Sequence, residues 1–426
     1  MFHSTRFRLL AALGLALTGA AGLALAKSTS PATLQGGPAP VVRVINGTPL
    51  TIHVGADQSF QVFNADIPGQ GQIYPSNSGA DTADMGWFVR VGGTLFAPDF
   101  SNHPAGSATG AIGPYTTFSN PAISAVAGSG SAADPFRVTV TGSLPGQNIN
   151  VTQVVEYVNG NNYFTKRLSL ANTGGANLSA QVYLGGDIYL ASSDSGVPFR
   201  EPVSGSVGGQ TCPPADAPAG AGGTYTILYI PQTPADFYSG NGYSTVWGQI
   251  GSSQLSNTLA AGCLDNGAAL QWNRSLPGGA TIAIQASTSF GDIPPITQFN
   301  VSSVNPASGS AGTSVPVTIT GFGFQPGTTF DFGAGITVGS LVIVNATTAT
   351  ATLAIAGGAT PGPRNVTGTQ APAGLTSTLV NGFTVITGTQ PPPPAAVTPV
   401  PVDSPWALLL LALSVLLLAG VVVRRG

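Results

Sequence analysis

The sequence predicts an all-β chain of more than one domain, on three observations. Its 58 glycines and 35 prolines occupy 93 of 426 positions, which breaks the backbone into short elements separated by turns. Apolar and polar residues alternate at period two through much of the interior. Between the two ends no stretch carries the 3.6-residue apolar period of an amphipathic helix. Only 7 % of residues are charged, against roughly a quarter in an ordinary soluble domain. With 13 Lys and Arg against 16 Asp and Glu, the chain has no basic surface with which to displace counterions from nucleic acid. Its 19 Phe, 10 Tyr and 4 Trp supply the apolar material of a core and exclude a disordered polyelectrolyte.

Residues 1–26 are arranged as a secretory signal peptide. Arg6 and Arg8 precede an apolar run from Leu9 to Leu25, and the small residues Ala24 and Ala26 stand at minus three and minus one. Cleavage by signal peptidase is expected before Lys27. Residues 27–40 follow as a polar linker without apolar period.

From 41 to 295 the chain reads as a β-sandwich module of unknown function. Ile149, Val151, Val155 and Tyr157 take one face of a strand and Asn150, Thr152 and Glu156 the other. Asn159-Gly160-Asn161 suits a hairpin turn, and the return strand puts Phe164, Leu168 and Leu170 opposite Thr165, Arg167 and Ser169. Further strands are expected at 85–97, 136–142, 180–190, 224–230, 244–250, 268–273 and 280–290. The segments GWFVRVGGTLFAPDFSNH, ADPFRVTV, GGDIYLASSDSG, YSTVWGQIG, DNGAALQW and LPGGATIAIQASTSF are similar to a module of secreted bacterial proteins that looks like a galactose-mutarotase-type supersandwich. That resemblance brings no known activity with it. Cys212 and Cys263 are the two cysteines, and in an exported chain they pair most simply as a disulfide.

Residues 296–386 change character. Val315, Val317 and Ile319 alternate with Pro316, Thr318 and Thr320, so one strand face meets a core. Pro306, Gly309, Gly312, Val317, Ile319, Gly321, Phe324, Phe332, Gly333, Phe383 and Val385 fill the pattern of the IPT/TIG immunoglobulin-like domain, which this segment resembles. The resemblance implies an immunoglobulin-like sandwich serving as a spacer or binding module.

A Pro-rich linker, 387–399, leads to the C-terminal segment 400–426. Ala407 to Val423 carries no charge and ends on Arg424-Arg425. At about 1.5 Å per residue it just reaches across a bilayer core, with the arginines on the cytoplasmic side. Val400, Pro401, Ser404 and Trp406 stand at the spacing of the IPTL-CTERM sorting signal of Gram-negative bacteria, while Val402 and Asp403 depart from it. This resemblance implies recognition by an exosortase-like membrane protease. Localisation follows: export, to the cell envelope or beyond, with transient or permanent anchoring through a helix at 407–423.

Residues with chemical potential are sparse. His3 leaves with the signal peptide, His53 lies in an alternating run that suggests a rim position, and His103 in PDFSNHP reads as loop filler. No Gly-x-Ser-x-Gly occurs, so no serine nucleophile is marked. Asp81, Asp84, Asp187 and Asp194 read as solvated turn residues, with a Ca²⁺ site on Asp187 or Asp194 as the alternative. Glu156 and Glu201 are not placed as the carboxylate pair of a glycosidase. Trp87, Tyr115, Tyr243, Trp247 and Trp272 read as core, or as platforms for sugar rings. No catalytic residue, metal or cofactor is assigned. The expectation is a non-enzymatic surface or extracellular-matrix protein, structural or adhesive. The alternative is a carbohydrate-binding module acting on extracellular polysaccharide, and a third reading is a secreted glycan hydrolase.

Overall fold

In the computed structural model, residues 38–76, 82–214, 224–370 and 374–387 are described, together with positions 409 and 413. The predicted signal peptide, both terminal linkers beyond these bounds, Asp81 and the sorting segment lie outside the described residues, apart from Leu409 and Leu413. Among the described residues no helix is long and apolar enough to cross a membrane.

The fold is mostly antiparallel β. Eighteen strands between Val42 and Gly291 form one hydrogen-bonded system folded into two layers. One layer carries Leu50–Gly55, Ser59–Asn64, Ala83–Val91, Leu178–Asp187 and Leu264–Leu276. The other carries Phe136–Leu144, Ile149–Tyr157, Tyr163–Asn172, Thr281–Gly291 and Thr226–Ile230. Inward side chains of both layers, among them Phe60, Trp87, Val151, Phe164, Leu270 and Ile284, share one buried core. The hairpin at 149–172 pairs in the register its alternation requires, Val151 opposite Leu170 and Val155 opposite Lys166. Its turn contains Gly160 at φ +90°.

Cys212 and Cys263 are disulfide-bonded, with Cα atoms 5.7 Å apart. The bond joins the end of the strand Val207–Thr211 to the approach of the strand Leu264–Leu276.

One element departs from expectation. Residues 243–251 form an α-helix, not a strand. Tyr243, Val246, Trp247 and Ile250 stand at i, i+3, i+4 and i+7, the helical period. Their apolar face covers a second core against Phe88, Phe100 and Tyr183 on the outer side of the first layer. Arg90 closes the helix end by donating to the carbonyls of Ile250 at 3.0 Å and Gly251 at 2.7 Å. Gly251 admits no side chain, since a Cβ there would lie 2.1 Å from the carbonyl oxygen of Ile112.

Residues 300–386 form a second sandwich of two four-stranded sheets. Val317, Ile319, Phe324, Phe332, Phe383 and Val385 are buried in its core. Gly321 sits where a Cβ would meet the carbonyl oxygen of Asn300 at 2.0 Å. The two sandwiches meet through Leu228, Ile230 and Phe322, with Phe199 and Ile296 packed beside them.

Candidate functional site

Where the sandwiches meet, the outer face of the larger one is left partly uncovered, and the gap is a cleft of about 790 Å³. Strand alternation builds its floor. The residues that face away from the core on Phe136–Leu144, Ile149–Tyr157, Tyr163–Asn172 and Thr281–Gly291 line up in rows across the sheet. One row is Arg137, Glu156 and Thr165, with the buried Ser287 beside Thr165 beneath the surface. The next places Val154, Arg167 and Gln285 side by side. The facing wall comes from the second sandwich, with Asn365, Thr376, Thr378 and Asn381, and Pro295 and Ile296 close the junction.

Arg137 grips Glu156, Nε and Nη2 donating to Oε1 at 2.8 and 2.6 Å. The pair is partly exposed, so it orients the carboxylate more than it stabilises the fold. Oε2 takes no hydrogen bond among the described residues. Thr165 and Ser287 share a hydroxyl hydrogen bond at 2.9 Å. On the wall, the backbone N–H of Asn381 donates to Oδ1 of Asn365 at 3.0 Å, which fixes one amide beside the other. Tyr163 lies at the rim with its ring half-buried, and burial pushes its phenol above the ordinary value of 10.0. The result is a concave surface of amides, hydroxyls, a braced carboxylate, guanidinium groups and a tyrosine ring. Such groups can exchange hydrogen bonds with many hydroxyls while an aromatic face covers a ring.

Other residues singled out in the sequence fall elsewhere. Trp87, Trp247 and Trp272 are fully buried and present no platform to solvent. His53 is buried against Phe63, not at a rim. His103 is no loop filler: its Nε2 lies 2.9 Å from Asp57 Oδ2 and 3.2 Å from Thr82 Oγ1, all in the interior. Ser59 bonds the other oxygen of Asp57, so a buried network ties the 99–109 loop to the sheet. Asp187 is fully buried, and it, Asp194 and Asp265 each bring a ligand oxygen to within 4.8 Å of the others. These hard donors are of the kind a divalent cation takes, and each of the three residues also interacts with neighbouring groups. Glu201 caps its own turn through the N–H groups of Val203 and Ser204.

No single segment marks the cleft, because its residues run from Arg137 to Asn381. Tyr163, Gln285, Asn365 and Asn381 carry no local motif. The sequence signal that did exist was the polar face of the 149–172 hairpin.

No family model matches the chain, and no curated protein matches it. Several solved structures do. A bacterial glucoamylase complexed with acarbose aligns at 9 % identity with a TM-score of 0.36, over 63 % of this chain and 35 % of that one. A heparan sulfate lyase from Pedobacter heparinus aligns at 10 % identity with a TM-score of 0.34, over 79 % and 40 %. A protein from Escherichia coli K12 provisionally described as an aldose 1-epimerase aligns at 9 % identity with a TM-score of 0.28, over 59 % and 99 %. The chain thus spans well under half the length of the first two. These structures are of carbohydrate-processing enzymes, and the expectation of a structural or adhesive protein without enzymatic character is set aside. The lack of a short motif excluded nothing, because a site can be assembled from residues on distant strands, as this cleft is. At such TM-scores the likeness assigns no activity, and the functional reading is built from the cleft.

Proposed function

We propose that this chain is an exported protein that recognises a polysaccharide, with the cleft between its two sandwiches as the binding site. The observation that carries the reading is the cleft's lining. It sets Glu156, Gln285, Asn365, Asn381 and Tyr163 around one open concavity of about 790 Å³, within the usual size of a ligand site. Open ends on a sheet face let a linear chain lie across it. Both sandwiches contribute, so neither alone makes the site.

A glycan array of extracellular polysaccharides tests this. Binding by the intact chain is expected, and Tyr163→Ala and Asn365→Ala should each weaken it about three- to tenfold, the worth of one ring contact or one hydrogen bond. Asn365 is exposed, so its variant leaves the core untouched. Binding that survives both substitutions unchanged would place the site elsewhere.

The IPT/TIG resemblance belongs to this proposal, with the second sandwich as the wall that completes the cleft. So does the address. Secretion through residues 1–26 and sorting at 400–426 by an exosortase-like protease would deliver the protein to where polysaccharide is exposed. Proline disfavours helix for the residue before it, the reason Pro401 would matter to a protease, and Trp406 suits the membrane interface. The double variant Pro401→Ala, Ser404→Ala should accumulate as full-length protein in the membrane fraction. If it matures and localises like the parent, the apolar run is a plain anchor.

A further inference from the structure

We infer that the polysaccharide taken by the cleft is anionic and that Arg167 is the residue that selects it. This rests on the cleft being a polysaccharide site. The evidence is a local reversal of charge. Residues 27–399 hold nine basic and fifteen acidic groups, yet the cleft is lined by two arginines and one carboxylate. Arg137 and Glu156 neutralise each other through two hydrogen bonds. Arg167 is exposed and lines the same floor, and its guanidinium has no ion pair or hydrogen bond among the described residues.

The other described cations are engaged. Arg274 pairs with Asp236, and Arg43, Arg90 and Arg364 donate to backbone carbonyls. Arg200 lies over the ring of Tyr238, and Lys166 is in the core. The free guanidinium is therefore confined to the proposed site, on a protein that is otherwise acidic.

Its surroundings suit an anion. Arg167 pairs in register with Val154 on one side and Gln285 on the other. Val154 offers an apolar surface that limits hydration on one flank, and Gln285 offers a second N–H donor. A guanidinium fork matches the two oxygens of a uronate carboxylate, or of a sulfate ester, in a way a point charge does not. Glu156 does not oppose this strongly, because Arg137 screens it. Neutral sugar units on either side would still use the amides and Tyr163.

The test compares matched polymers. A panel of uronate-containing polysaccharides is titrated against the intact protein beside the same polymers with their carboxyls reduced to alcohols. Sulfated polysaccharides are titrated beside their desulfated forms. The inference expects an anionic polymer to bind about tenfold or more tightly than its neutral counterpart, the scale of one charged hydrogen bond. Arg167→Gln should remove that preference, bringing the anionic form down to about the affinity of the neutral one, and Arg167→Lys should restore part of it. Which pair shows the preference tells a carboxylate from a sulfate. If anionic and neutral forms bind alike, and Asn365→Ala still weakens both, the charge inference falls and the cleft remains. If no polysaccharide binds in either form, the cleft reading fails and this inference with it.

Discussion

Replacing Asp57 by Ala is expected to lower stability by about 3–5 kcal/mol, the cost of leaving one member of a buried ion pair without its partner. Asp57 and His103 are 6 % and 5 % exposed, and their contact is 2.9 Å. Asp57 also accepts from the backbone N–H groups of Ser59 and Asp99, so its loss unpins both the turn and the loop. Asp57→Asn keeps the shape and isolates the charge. Burial alone would raise the carboxyl, but His103 and Ser59 hold it below 3.8. Burial alone would lower the imidazole, but the hydrogen bond and charge of Asp57 hold it above 6.5. The signs follow from linkage. The Asp57 contribution is present above pH 3.8 and lost as pH falls through its lowered folded value. The His103 contribution is complete below pH 6.5 and lost as pH rises through its raised folded value. The difference in urea unfolding free energy between parent and Asp57→Asn should therefore be largest between those limits and shrink as pH rises through the raised folded value of His103. A difference independent of pH would show that the pair carries no charge.

Lys166→Met is expected to act in the opposite direction and stabilise the protein by about 1–4 kcal/mol at neutral pH. Lys166 is wholly buried between the layers. Its Nζ donates to Oγ1 of Thr288 and lies 4.4 Å from the ring centre of Phe164 and 5.3 Å from that of Phe60. No carboxylate pairs with it among the described residues. Burial drives its amine well below 10.5, because the charged form loses its hydration. A group lowered in this way gives its full contribution only above pH 10.5, and that contribution is lost as pH falls through the folded value. Its share of the slope is at most about 1.4 kcal/mol per pH unit. Parent stability relative to Lys166→Met should thus rise with pH. Methionine keeps the length and the apolar stem. A loss of stability in that variant would mean that the Thr288 and ring contacts outweigh the desolvation of the amine.

Both effects hang on residues whose positions were partly legible. Lys166 stands between Phe164 and Leu168 in the alternating strand, so period two already turned its side chain inward; its chemistry disguised it. His103 gave no such signal, because its partner Asp57 is 46 residues away and the contact exists only once the loop docks. The 149–172 hairpin and the Cys212–Cys263 pair could be read directly, since alternation and thiol chemistry are local. The helix at 243–251 was missed for the reason that short apolar runs are ambiguous. Thr245 and Val246 suit a strand, and only the spacing of Tyr243, Val246, Trp247 and Ile250 separates the two periods. The cleft could be read only as a polar strand face. Its wall, at Asn365 and Asn381, lies some two hundred residues from Glu156 and Arg167, and no pattern in the chain announces that the two sandwiches pack to face one another.

The most direct test of the central claim is a footprint. Backbone hydrogen exchange is measured on the intact protein with and without a polysaccharide fragment that binds on the array. The account predicts protection in both sandwiches at once, at 154–167 and 281–287 on the floor and at 362–370 and 375–382 on the wall. Protection confined to one sandwich, or centred on the 99–109 loop or the Asp187, Asp194 and Asp265 cluster, would contradict it.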